Sequence, residues 1–106
     1  MSRARAFYEG VLGLAPSMAH ADGDFAWTEY DIGGAALALG CGSAMTKPSV
    51  DGGSVGLEVA DFSEAIAKLK ADKVAFVMEA AETPVCHLAI IKDPDGNAVI
   101  IHKRKA

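Results

Sequence analysis

The stretch DPDGNAVIIHK, residues 93–103, reads as a tight turn that delivers a strand. Pro94 presets φ at the first turn position, and Gly96 accepts a positive φ that a β-branched residue resists. Beyond the turn, Ala98 to Ile101 is apolar, and the first polar side chain is His102. Before it, PVCHLAIIK (84–92) reads as a strand, so the turn closes a hairpin. Whether this hairpin also carries chemistry depends on what lies beside it.

Moving upstream, VAFVM (74–78) is a further short strand. DFSEAIAKLKAD (61–72) is a helix: Asp61 and Glu64 have capping-box spacing, and Phe62, Ala65, Ile66 and Leu69 share one face. SVGLEVA (54–60) is a strand. Before it, GCGSAMTKPSVDGG is rich in Gly and Ser and lacks periodicity, as a linker does. Three strands, SMAHA from Ser17, FAWTEYDI from Phe25 and AALALG from Ala35, form a meander with hairpin turns at Asp22-Gly23 and Gly33-Gly34. The chain opens with SRARAFYEGVLGL, in which Ala4, Phe7, Tyr8, Val11 and Leu12 recur at helical spacing and Gly13 ends the helix.

The second half thus reads strand, helix, strand, strand, strand, and the first reads helix, strand, strand, strand. This is one unit repeated, with the opening strand missing from the first copy. The expected division is a first module at 1–40, a linker at 41–53 and a second module at 54–106.

The 106 residues suffice for one domain with a real core. At 51% hydrophobic and 23% charged, the composition is that of an ordinary globular protein. No apolar run suits a membrane span, and MSRARAFYEG (1–10) carries charge without the apolar core expected of a secretory signal. The net charge of −4 does not favour a nucleic-acid partner, and Lys103-Arg104-Lys105 is a short solvated basic tail. Cys41 and Cys86 form no compact ligand spacing and no disulfide framework. Reduced thiols and a cytoplasmic location are expected.

The motifs ARAFYEGVLGL (4–14), VGLEVADFSEAIAKL (55–69) and DPDGNAVIIHKRK (93–105) together resemble the vicinal oxygen chelate superfamily, which includes glyoxalase I and the bleomycin- and fosfomycin-resistance proteins. The resemblance implies an α+β fold of paired βαβββ modules whose curled sheets enclose a cleft, often completed by a second subunit. Relatives carry a strand ahead of the helix motif, and this chain begins at the Met that follows it. Met1 is therefore expected to be an internal start, or the chain to be shortened; the alternative is a strand borrowed from a partner.

Metal-dependent relatives hold a divalent ion with His and Glu from the first, fourth, fifth and last strands. The resemblance places three of those positions at Ala38, Ser54 and Ile100. Ala, Ser and Ile do not assemble a divalent site. No metal and no cofactor are expected, and no catalytic residue is assigned.

Four residues remain as candidate ligand contacts: Glu58, His102, His87 and Trp27. Val55, Leu57 and Val59 form the face under the helix, so Ser54, Gly56 and Glu58 face the cleft, where Glu58 would take a cationic group or act as a base. His102 shares the parity of Ile100. His87, on the neighbouring strand, is expected near His102, and Cys86 is expected to point the other way. Trp27 and Glu29 alternate with Thr28 and Tyr30, and either set suits the inward face.

The resulting expectation is a metal-free small-molecule binding module with an apolar cleft, forming a homodimer. Its alternatives are a metal-dependent glyoxalase-like lyase or isomerase, and a structural or degenerate dimerising domain. A sheet lacking an edge strand exposes backbone groups that a second chain would cover.

Overall fold

A computed structural model of the chain describes residues 1–42 and 53–105. It divides into two compact units, Met1–Pro48 and Ser49–Ala106. Most of the segment expected to be a linker, 43–52, lies outside the described residues; Cys41 closes a strand instead.

The first unit opens with helix α1 (Ser2–Arg5), which continues into a π-wound stretch, Ala6–Val11. The sequence periodicity suggested a plain α-helix. The Leu12 N–H reaches back five residues to the Phe7 carbonyl (3.0 Å), and Gly13 follows at φ +75°. Ala4, Phe7 and Tyr8 are buried, as their spacing implies. Three antiparallel strands follow in spatial order β1 (Pro16–Asp22), β2 (Phe25–Ile32), β3 (Ala35–Cys41). The first hairpin turns at Gly23-Asp24, one position later than expected, because Asp22 pairs with Phe25. The second turns at Gly33-Gly34, both at positive φ, where two glycines avoid the strain other residues would carry.

Thr28 and Tyr30 are buried on one face of β2. Tyr8 stacks on Tyr30 with ring centroids 6.3 Å apart, which identifies that face as the helix side. Burial of Tyr30 and the adjacent Glu9 push its hydroxyl up to about 12, and the hydroxyl donates to Glu9 at 2.9 Å. Glu9 also receives Arg5 at 2.6 Å, one helical turn away.

The second unit is a four-stranded sheet in the order β4 (Ser54–Glu58), β7 (Ala98–Arg104), β6 (Cys86–Lys92), β5 (Phe76–Glu82). Strand β4 runs parallel to β7, and the other pairs are antiparallel. Helix α2 (Phe62–Ala71) connects β4 to β5. Asp61 caps it by accepting the Glu64 N–H at 3.0 Å. Strand β5 starts and ends later than its apolar run suggests, because Ala81 and Glu82 find cross-strand partners in Leu88 and His87. Pairing outweighs the low strand preference of Ala and Glu there. At the other end of that hairpin, Pro84 and Val85 lie in the turn rather than in β6.

The core of this unit is Ala89, Ile91, Val99 and Ile101, all at most 2% exposed, with Leu69 from the helix. The closing hairpin is organised by Asp93, a buried carboxylate. Its Oδ1 accepts the Asp95 and Asn97 N–H groups (2.9 and 2.8 Å), and its Oδ2 accepts the Asn97 side-chain amide (2.8 Å). Gly96 stands at φ +89°, as the turn reading requires.

Candidate functional site

Strand alternation gives each sheet two unlike faces. In the second unit, Val99, Ile101, Ala89 and Ile91 fill the helix side. The opposite side is formed by rows of register partners across β4, β7 and β6. One row is Gly56, Ile100 and Ile90, and the next is Glu58, His102 and Leu88. Ile100, Ile90, Leu88 and His102 are half-buried, and Gly56 and Glu58 are exposed. A Cβ placed on Gly56 would meet nothing within 4 Å, so the space above it is open. An apolar floor beside a polar row is thus accessible to a ligand.

In the polar row, Glu58 and His102 are direct register partners on parallel strands. His102 Nδ1 lies 2.5 Å from Glu58 Oε1. The other carboxylate oxygen, Oε2, accepts the Arg104 N–H at 2.8 Å. The Arg104 N–H and then His102 hold the Glu58 carboxyl below its ordinary value. Both oxygens are therefore engaged, Oε1 by the His102 ring and Oε2 by the Arg104 N–H.

The other two candidates lie elsewhere. His87 pairs with Lys103, so alternation turns it to the helix side, where its ring packs 5.5 Å from Phe62. The expectation that His87 sits near His102 with Cys86 turned away is corrected: the register puts Cys86, opposite Arg104, on the His102 side. His87 and His102 lie on adjacent strands but one residue out of register, and an offset of one residue reverses a face. Trp27 belongs to the first unit, on the side of β2 away from the helix, and its indole N–H donates to Glu29 at 2.8 Å. His20 and Gly40 flank it on the neighbouring strands.

The sequence reading did not single out Gly56 as an opening, or the Arg104 N–H as a carboxylate anchor. Parity with Glu58 was the signal for the first; backbone register, absent from sequence, decides the second.

Ala38, Ser54 and Ile100 occupy the positions where the fold implies metal ligands. Each lies on the face away from its unit's helix, by its pairing with Glu29, by parity with Glu58 and by parity with His102 respectively. The orientation suits ligation, but these side chains offer no imidazole or carboxylate. Among the described residues no group of three or more His, Cys, Asp or Glu is arranged to hold an ion. The donor set does not fit a divalent metal.

Helix-backed sheets with a parallel opening strand and an antiparallel meander define a class of α+β proteins built from βαβββ units. The chain belongs to the Glyoxalase/Bleomycin resistance protein/Dioxygenase superfamily, whose model matches residues 1–101. Among solved structures, it is similar to an antibiotic binding protein from Streptomyces sp. CB03234, with 22% identity, TM-score 0.82, and 98% of this chain and 86% of that one covered. It is also similar to a lactoylglutathione lyase from Agrobacterium tumefaciens (21% identity, TM-score 0.75, coverage 96% and 84%). A third similar structure is the glyoxalase I of Leishmania major (19% identity, TM-score 0.73, coverage 97% and 78%). At these identities the likeness is one of fold. No curated protein matches the sequence.

Proposed function

We propose that this chain is a metal-free small-molecule binding module, and that its binding surface is the face of the second sheet away from α2. The observation that carries this reading is the half-buried apolar row of Ile100 and Ile90, open above Gly56 and bordered by the oriented Glu58–His102 pair. A sheet face of this kind offers apolar area for affinity and a few polar atoms for orientation. The antibiotic binding protein with the same fold supports the reading by analogy. A lyase or isomerase of the metal-dependent kind lacks support from the donor set at Ala38, Ser54 and Ile100.

The test is a thermal-shift screen of amphipathic aromatic compounds, including antibiotics, on wild-type protein and on Gly56→Leu. A ligand at about 100 times its dissociation constant adds roughly 2.7 kcal/mol of stability. The added leucine enters open space on a strand and is expected to fold while covering the floor. Ligands that stabilise the wild type and not Gly56→Leu support the reading; no stabilisation, or stabilisation indifferent to the substitution, overturns it.

Homodimerisation belongs to the same proposal. Strand β3 stands at a sheet edge, and its seven residues carry no charge, proline or bulge against β2. Such an edge is suited to pairing with a second copy. Sedimentation of a concentration-independent monomer would remove it. Membrane association has no support from the helices, none of which is long and apolar enough to cross a bilayer among the described residues. The two free thiols fit the cytoplasmic location proposed with this reading.

A further inference from the structure

The Glu58–His102 pair has a direction. Glu58 reaches Nδ1 with one oxygen, and its other oxygen is occupied by the Arg104 N–H. A charged carboxylate at Nδ1 selects the tautomer that carries its proton there, which leaves the lone pair on Nε2. Nε2 has no hydrogen-bond partner among the described residues, and the His102 side chain is 34% exposed. The pair therefore presents one proton acceptor to whatever lies on the sheet face.

The surroundings narrow the chemistry. Across β6, the residue opposite His102 is Leu88, and the next row is the apolar Gly56, Ile100 and Ile90. Cys86 and Arg104 are the register pair beyond it on the same side, and Lys103 points to the other face. A cationic group finds no uncommitted carboxylate oxygen at Glu58. An apolar ring over Gly56, carrying a hydroxyl at its edge, would meet both the floor and the acceptor.

We propose that His102, oriented by Glu58, binds a flat apolar ligand through a weakly acidic hydroxyl, phenolic or enolic, and takes its proton. The O–H proton moves to Nε2, the Nδ1 proton stays in its hydrogen bond to Glu58, and the ligand is held as an oxyanion beside the imidazolium. Total charge is conserved, and no bond other than O–H is broken. The assignment rests on the reading of this face as a ligand surface.

The test uses 4-nitrophenol, whose anion is yellow, and 4-nitroanisole, which has the same ring without the acidic proton. At a pH where the free phenol is partly protonated, wild-type protein is expected to increase the phenolate absorbance in a saturable manner. His102→Gln is expected to weaken binding about tenfold, which corresponds to roughly 1.4 kcal/mol. 4-Nitroanisole should bind weakly and alike to both. Nitrogen-15 NMR should show Nδ1 protonated in wild type and that preference reduced in Glu58→Gln. The proposal fails if no phenolate forms, if His102→Gln binds as tightly as wild type, or if the anisole matches the phenol. Where panel compounds still bind in a Gly56→Leu-sensitive way, such a failure removes the role of His102 and leaves the binding face standing.

Discussion

Glu58 and His102 are register partners on two parallel strands that lie 44 residues apart in sequence, with Nδ1 and Oε1 separated by 2.5 Å. Parallel pairing places their side chains on the same face by geometry rather than by local sequence. A backbone N–H two residues beyond His102 fixes the second oxygen of the carboxylate.

The contrast between neighbouring residues of β7 tests the face assignment. Ile101 is 2% exposed against the helix, whereas Ile100 is half-buried on the other side. Ile101→Ala should cost about 2–5 kcal/mol, the usual range for a cavity in a packed core. Ile100→Ala should cost under about 1.5 kcal/mol, since it loses only part of its burial. Urea denaturation of both variants measures the difference.

Asp93 accepts three hydrogen bonds inside the closing turn while only 5% exposed. Asp93→Ala leaves those donors to find water and should destabilise the protein by about 2–3 kcal/mol. Asp93→Asn, which keeps one acceptor oxygen, should cost less. Equal stability of all three proteins would contradict the role given to this carboxylate.

Acid should weaken the fold through three carboxylates. Glu9, Glu58 and Glu82 are each held below the ordinary carboxylate value, by Arg5, by the Arg104 N–H with His102, and by Lys105. A depressed folded-state value contributes stability above the unfolded value of about 4.3, and that stability is lost as pH falls through the folded value. Urea midpoints should be flat near neutrality and drop below about pH 4. Glu58→Gln should remove part of that drop.

Alkali acts in the opposite sense on Tyr30, whose hydroxyl is raised to about 12 by burial and then by Glu9. Stability from the neutral hydroxyl is complete below the unfolded value of about 10 and is lost as pH rises through the folded value. Tyr30→Phe should lower stability at neutral pH by about 1.5 kcal/mol for the hydrogen bond to Glu9. It should also flatten the decline between about pH 10 and 12.

Protein purified without chelators should contain far less than one equivalent of any divalent metal by elemental analysis. Ala38, Ser54 and Ile100 supply no donors that would retain one. One equivalent per chain would overturn that conclusion and direct attention to Glu58 and His102 as ligands.

Much of the fold was legible in the residues. Helix 62–71 followed from its apolar spacing and the Asp61 cap, and the turns at Gly33-Gly34 and Gly96 followed from the tolerance of glycine for positive φ. These are local properties, set by side-chain entropy, sterics and period. The parity of Ser54, Gly56 and Glu58 was legible for the same reason. The turn 93–97 was also recognisable, although Asp93 rather than Pro94 or Gly96 holds it together through hydrogen bonds that composition does not reveal.

The sequence by itself determined the order of helices and strands, though not the bounds of β5 and β6, and that the metal positions implied by the resemblance hold Ala38, Ser54 and Ile100. Only the tertiary structure decided that Glu58 meets His102, that His87 turns away to Phe62, and that Cys86 shares the His102 side. Period-two alternation assigns a face within one strand, but relating two strands requires their register. That register is set by backbone pairing over long sequence separations, so one residue of offset exchanges the site and core sides.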